Sequence, residues 1–94
     1  MDFDWDAANL EHIARHKVEA DEVEEMVGDP AALVRTAHRG PRNQKRYAFV
    51  GATEAERVLA VILEERGERS RTVTARPASI EERRAYAAQE ENND

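Results

Sequence analysis

The 94-residue sequence has no cysteine, which excludes a disulfide framework and any thiolate metal site. Aromatics are scarce at 5%, and three prolines and four glycines are too few for a low-complexity linker or a collagen-like repeat. Long apolar runs are missing as well. The longest, residues 58–63, is far too short to cross a bilayer. The opening Met1-Asp2-Phe3-Asp4 is acidic where a signal peptide would be basic and then apolar, so a soluble cytoplasmic domain away from membranes is expected. At this length there is room for one core only, giving a single domain over residues 1–88 and a polar tail over 89–94. With 40% hydrophobic and 36% charged residues, the chain is too apolar for a disordered segment.

One further absence is local. Residues 30–53 contain no acid, although the chain as a whole carries a net charge of −6. That stretch holds Arg35, Arg39, Arg42, Lys45 and Arg46, whereas residues 1–29 hold ten acids against two bases. A net-acidic protein is a poor nucleic-acid binder on average, but such asymmetry can leave a local phosphate-attracting surface. The competing reading is of ordinary solvated faces.

Periodicity gives the order of elements. Phe3-Asp4-Trp5 is a short extended segment, and Asp6 is placed to cap a helix that runs to about His16 with Leu10 and Ile13 inward. Val23, Met26 and Val27 mark a second helix, Ala20–Val27, closed by Gly28 and Pro30. Strands follow over residues 31–36, 45–52, 57–64 and 70–75, with turns at Gly40-Pro41, at 53–56 and at Gly67. Both alternating sets are apolar in residues 58–63, as in a central strand covered on both faces. In the last strand, alternation puts Thr72, Thr74 and Arg76 on one polar side. Ser79 and Glu82 form a capping box for a third helix ending near Ala88. The expected class is α+β: two N-terminal helices, a four-stranded, mainly antiparallel sheet and a C-terminal helix.

Three stretches then stand out together: WDAANLEHIARHKV at 5–18, RVLAVILEERG at 57–67 and SRTVTARPASIEERRAY at 70–86. In order and spacing they resemble the BrnT family of type II toxins. The first matches the Trp-Asp start and the helix end before a Gly-Val, the second a strand ending Glu-Arg-Gly, and the third an Ala-Arg strand end before Glu-Arg-Arg-x-Tyr. Two positions depart from the pattern: Lys17 stands where the family commonly has Gly, and Glu19 where a Ser often caps the second helix. The resemblance implies a RelE-like fold, a ribonuclease needing neither metal nor cofactor, and a BrnA-type antitoxin as partner. RNA is then the substrate, and a homodimer within the toxin–antitoxin complex stays open.

Metal-free RNA cleavage needs a base for the attacking 2′-hydroxyl, cations for the phosphorane charge and an acid for the leaving 5′-oxygen. His16, at the end of the first motif, is the chosen proton-transfer group, with a capping or packing role as the alternative. His12 lies four residues earlier, but no third metal ligand has a recognisable spacing. Arg76 is the leading phosphate-binding cation, grouped with Arg83 and Tyr86 from the last helix, with ordinary ion pairs of these arginines to Glu81, Glu82 or the acidic tail as the alternative. Glu65 accepts a proton or orients His16, unless it is an ordinary strand-end ion pair. Arg35, Arg39, Arg42, Lys45 and Arg46 would track the RNA backbone, or dock an acidic antitoxin segment. Trp5 is more readily a core residue than a base-stacking one.

Overall fold

The computed structural model describes residues 1–92. Its elements are β1 (Asp2–Phe3), α1 (Ala7–Ala14), α2 (Ala20–Val27), β2 (Leu33–Thr36), β3 (Arg46–Ala52), β4 (Val58–Arg66), β5 (Arg69–Pro77) and α3 (Ile80–Asn92). The α+β class holds, but the sheet has five strands, in the order β1-β5-β4-β3-β2, rather than four. The extra strand is the N-terminal segment, which pairs parallel to β5 and extends the ladder through Asp4 N–H to Ser70 O at 2.9 Å. A short first strand is expected from the sequence at Phe3-Asp4-Trp5 and is present at Asp2–Phe3, but two residues are too few to show a period, so only this long-range pairing places it in the sheet. At the other end, α3 continues through Asn92 instead of stopping near Ala88, and residues 93–94 of the expected tail lie outside the described residues.

The helices start where side chains satisfy their free N–H groups. Asp6 accepts from Asn9 N–H at 2.8 Å, and Ser79 and Glu82 each accept from the other's backbone N–H, at 3.1 and 2.8 Å. One expected inward residue is replaced: Leu10 is 41% exposed, and Asn9 takes the buried position beside Ile13. Its amide donates to Thr72 O at 2.5 Å, tying α1 to β5 through a hydrogen bond.

Ile13, Val18, Val23 and Met26 from the helical layer meet Leu59, Val61, Leu63 and Ala75 on one sheet face. Phe3 and Trp5 stack at 5.9 Å against this core, and the indole N–H donates to Glu24 at 3.0 Å, so Trp5 packs as a core residue. Close approach of α2 to β3 depends on Gly51, where an added Cβ would fall 2.8 Å from the Met26 carbonyl oxygen.

β4 is central, as its pattern implies, but α1 and α2 cover only one of its faces. A register shift between Ile62 and Leu63 corrects the expected alternation in β5. Thr72 pairs with Leu63 and is buried in the core, whereas Thr74 and Arg76 pair with Ile62 and Ala60 on the opposite face. The extra residue of this bulge cannot be read from the strand's own pattern.

Candidate functional site

The sheet face turned away from α1 and α2 carries three cross-strand rows. They read Leu33–Val50–Ala60–Arg76, then Arg35–Ala48–Ile62–Thr74, then Arg46–Glu64–Arg71. An apolar centre therefore lies between two charged ends. The start of α3 leans over the first end, leaving a cleft of about 470 Å³ with Arg35, Arg76, Glu82 and Ala85 around Leu33, Ala60 and Ile62. What holds α3 there is Asp29, just past α2. Its carboxylate accepts from Tyr86 OH at 2.5 Å and from the N–H groups of Ala31 and Ala52, both at 2.9 Å. Burial pushes this carboxyl upward, but the hydrogen bonds outweigh it and leave Asp29 below the usual carboxylate range.

At the α3 end, Arg76 meets Glu82 through both terminal nitrogens, at 2.6 and 3.0 Å. The same carboxylate caps α3 through Ser79 N–H, so the helix start fixes the acid against the strand end. The Arg76 hydrogen bond is the largest influence on Glu82 and lowers its pKa to about 2, while Glu82 raises that of Arg76. A planar guanidinium fork held by two carboxylate oxygens is geometrically the arrangement that a phosphate would take.

At the far end, Glu64 is 1% exposed and accepts from Arg46 Nε at 2.9 Å and Arg66 Nε at 2.7 Å. Burial raises its pKa, yet the two guanidinium groups more than offset this and keep Glu64 ionised below the usual range. Its neighbour Glu65 points elsewhere, accepting from Tyr47 OH at 3.1 Å, and that bond is the largest cause of the raised Tyr47 pKa. Arg39, Arg42 and Lys45 are exposed on the connection from β2 to β3, next to this end of the sheet, and Arg39 donates to Asn43 O at 2.8 Å. Among the described residues no three His, Asp or Glu side chains cluster as metal ligands.

This face supplies separated arginines over an apolar floor, a surface suited to a phosphate-linked ligand with planar groups. A family model for the ribonuclease toxin BrnT of type II toxin–antitoxin systems matches residues 5–82. The chain belongs to the BrnT family. No curated protein matches it. Membership implies a ribonuclease toxin of a type II toxin–antitoxin system, and with it an antitoxin protein as partner.

In this BrnT chain the sequence-derived candidates fall into separate places. Arg76 and Arg35 line the cleft, and Arg46 lies at the far end of the same face. Tyr86 is buried, with its hydroxyl on Asp29, while Arg83 is exposed one turn before it, so α3 does not bring Arg76, Arg83 and Tyr86 together. His16 is exposed in the helical layer, its ring edge-on to His12 with centroids 6.1 Å apart. The adjacent Lys17 carbonyl accepts from Arg57, just before β4, whereas Glu65 lies near the end of β4. Glu65 is five residues beyond Ala60, the partner of Arg76, or about 17 Å along an antiparallel strand. Thus His16, Glu65 and Arg76 do not form one cluster.

No role for Glu64 or Arg66 is read from the sequence, whereas Glu82 is legible both as a helix cap and as an ion-pair partner for the arginines near it. Strand alternation was available as a signal for Glu64, since it shares the Ala60–Ile62 side. For Glu82 the ion-pair alternative is the one found, with Arg76 as the partner and the capping bond kept on the same carboxylate.

Proposed function

We propose that the open sheet face is the RNA-cleaving surface, acting without a metal. The 2′-oxygen bonds to the adjacent phosphorus as the P–O5′ bond breaks, giving a 2′,3′-cyclic phosphate and a 5′-hydroxyl, with the 2′-hydroxyl proton passing to water and the leaving oxygen taking one from water. The observation that carries this is Arg76, whose fork projects beside an apolar cleft and is filled by a carboxylate where a phosphate oxygen pair would fit. Exchange of Glu82 for the scissile phosphate places the guanidinium against the charge that develops on the phosphorane. Arg35, on the same face, extends the positive rim, and Arg39, Arg42, Lys45 and Arg46 draw the backbone towards it. On this reading Arg76 is the dominant group and His16, in the helical layer, stands outside the reaction.

The partner is a BrnA-type antitoxin that covers this face. An open apolar floor of Leu33, Val50, Ala60 and Ile62 beside an acid-free basic stretch supports that assignment. The test is induction in a bacterial host while growth and bulk RNA are followed. Wild type should arrest growth with RNA loss, Arg76→Ala should relieve both, and His16→Ala should not. A second reading, a silent module that only binds a partner or RNA, is favoured by the closed Arg76–Glu82 pair. Normal growth and intact RNA from well-folded wild type would decide for it.

A further inference from the structure

Glu64 is the most deeply buried charge of the molecule's open face, and it is paired with more cation than neutrality requires. One guanidinium would balance it, but two hold it, one on each oxygen. Both bonds use the inner nitrogen, Nε. Among the described residues no hydrogen bond engages the terminal amino groups of Arg46 or Arg66. Each arginine is therefore anchored at its inner edge with its outer edge uncommitted, and Arg66 remains 48% exposed.

The surroundings are built around that arrangement. The backbone of the 37–45 loop lies against the ion pairs at Gly40, where a Cβ would come 2.8 Å from Glu64 Oε1 and 3.1 Å from Arg46 Nε. Hollows open on two sides. Arg46 lines one with Arg39, Lys45 and Tyr47, and Arg66 lines the other with Arg42 and Gln44. Glu65 also borders the second hollow and is the acid that faces a ligand there, its carboxylate bonded to Tyr47. Six cations, Arg39, Arg42, Lys45, Arg46, Arg66 and Arg71, stand against Glu64, Glu65 and the Asp6 that pairs with Arg71, so the region is net positive on a net-negative chain. Stability alone does not account for the design, because a buried ion pair is often no better than an apolar side chain of similar volume.

We propose that Arg46 and Arg66 form a phosphodiester-binding subsite for single-stranded RNA, and that Glu64 is the positioning residue that aims them. Two uncommitted guanidinium edges on either side of the loop suit two phosphates of one strand. The subsite lies four residues along β4 from the partner of Arg76, about 13 Å, so it holds RNA away from the cleavage point. The inference rests on the ribonuclease reading above.

The experiment measures binding of a 2′-O-methyl oligoribonucleotide, which cannot be cleaved, to the full chain by fluorescence anisotropy across a salt series. Arg66→Ala and Arg46→Ala should each weaken binding about tenfold and lower the salt slope by about 0.7, one phosphate's worth for a single strand. Glu64→Gln separates aiming from charge. It makes the protein more positive, so charge alone predicts tighter binding, whereas a positioning role predicts weaker binding. Arg66→Lys serves if Glu64→Gln melts early. It keeps the charge, so affinity should fall with the salt slope unchanged. Wild-type affinity and slope in the arginine variants, or tighter binding by folded Glu64→Gln, would overturn the subsite, even if antitoxin neutralisation were altered. Failure of wild type itself to bind the oligoribonucleotide would overturn both this and the ribonuclease reading.

Discussion

At the residue scale, two positions have consequences that solution measurements can read. Lys17 has φ of 59°, a left-handed conformation that costs a β-carbon-bearing residue about 1–2 kcal/mol. The family commonly has glycine there. Lys17→Gly should stabilise the fold by about 0.5–1 kcal/mol once glycine's extra chain entropy is deducted, seen as a higher urea midpoint at unchanged slope. Glu82 has a pKa of about 2, below its ordinary 4.5. Its contribution is therefore fully present above about pH 4.5 and disappears as pH falls towards 2. Glu82→Gln should lose that part of the acid dependence and melt at a pH-independent offset from wild type over the range 5–8. The check is a series of melting curves from pH 2 to 8.

At the scale of elements, α3 is placed by contacts that its own composition does not advertise. The Tyr86–Asp29 bond joins the helix to the segment after α2, and Asp29 also receives Ala52 N–H from β3. Tyr86→Phe should cost about 1.5–3 kcal/mol by leaving an ionised acceptor short of a donor, while RNA cleavage survives at temperatures where the fold persists. Loss of cleavage without loss of stability would instead make the hydroxyl a reagent. Gly51 acts between α2 and β3. With Met26 O 2.8 Å from the added carbon, Gly51→Ala must part the helix from the strand, at a cost of about 1–3 kcal/mol in denaturant unfolding.

The same scale shows which parts of the fold were legible. Caps at Asp6 and Ser79, the helix Ala20–Val27 and the bodies of β3, β4 and β5 are set by neighbours within a few residues, so local pattern exposes them. Leu10 lies outward where the pattern points it inward, because a helix's inward stripe admits either Asn9 or Leu10 beside Ile13, and the choice depends on a carbonyl in β5. Thr72 was placed with Thr74 because strict alternation assumes no bulge. The arginines of the site were visible as residue types. Glu82 is also open to reading as an ion-pair partner, being near in sequence, but Glu64 looks like a surface acid until the strands align.

At the scale of the whole molecule, charge is segregated and not merely negative. The basic stretch from Arg35 to Arg46 borders the open face, while ten of the acids lie in residues 1–29, most of them in or beside the helical layer. RNA binding should therefore be salt-dependent despite the net charge of −6, with log affinity falling by about 0.7 per phosphate neutralised for each decade of salt. Replacing Arg39, Arg42 and Lys45 together by serine should flatten that dependence by about two phosphates' worth, read by the same anisotropy titration. An unchanged slope would remove the loop from the RNA path.

What the sequence by itself determined is the family, the α+β class, the caps and turns, and the stock of arginines, because these depend on residue identity and near-neighbour spacing. The tertiary structure alone decided the place of the first strand in the sheet, the bulge in β5, the distance of His16 from Arg76, the choice of Glu82 as the partner of Arg76 and the pairing of Arg46 and Arg66 with Glu64. Those features join residues distant in sequence or sort them between sheet faces. A one-residue change in strand register is enough to move a side chain from solvent to core.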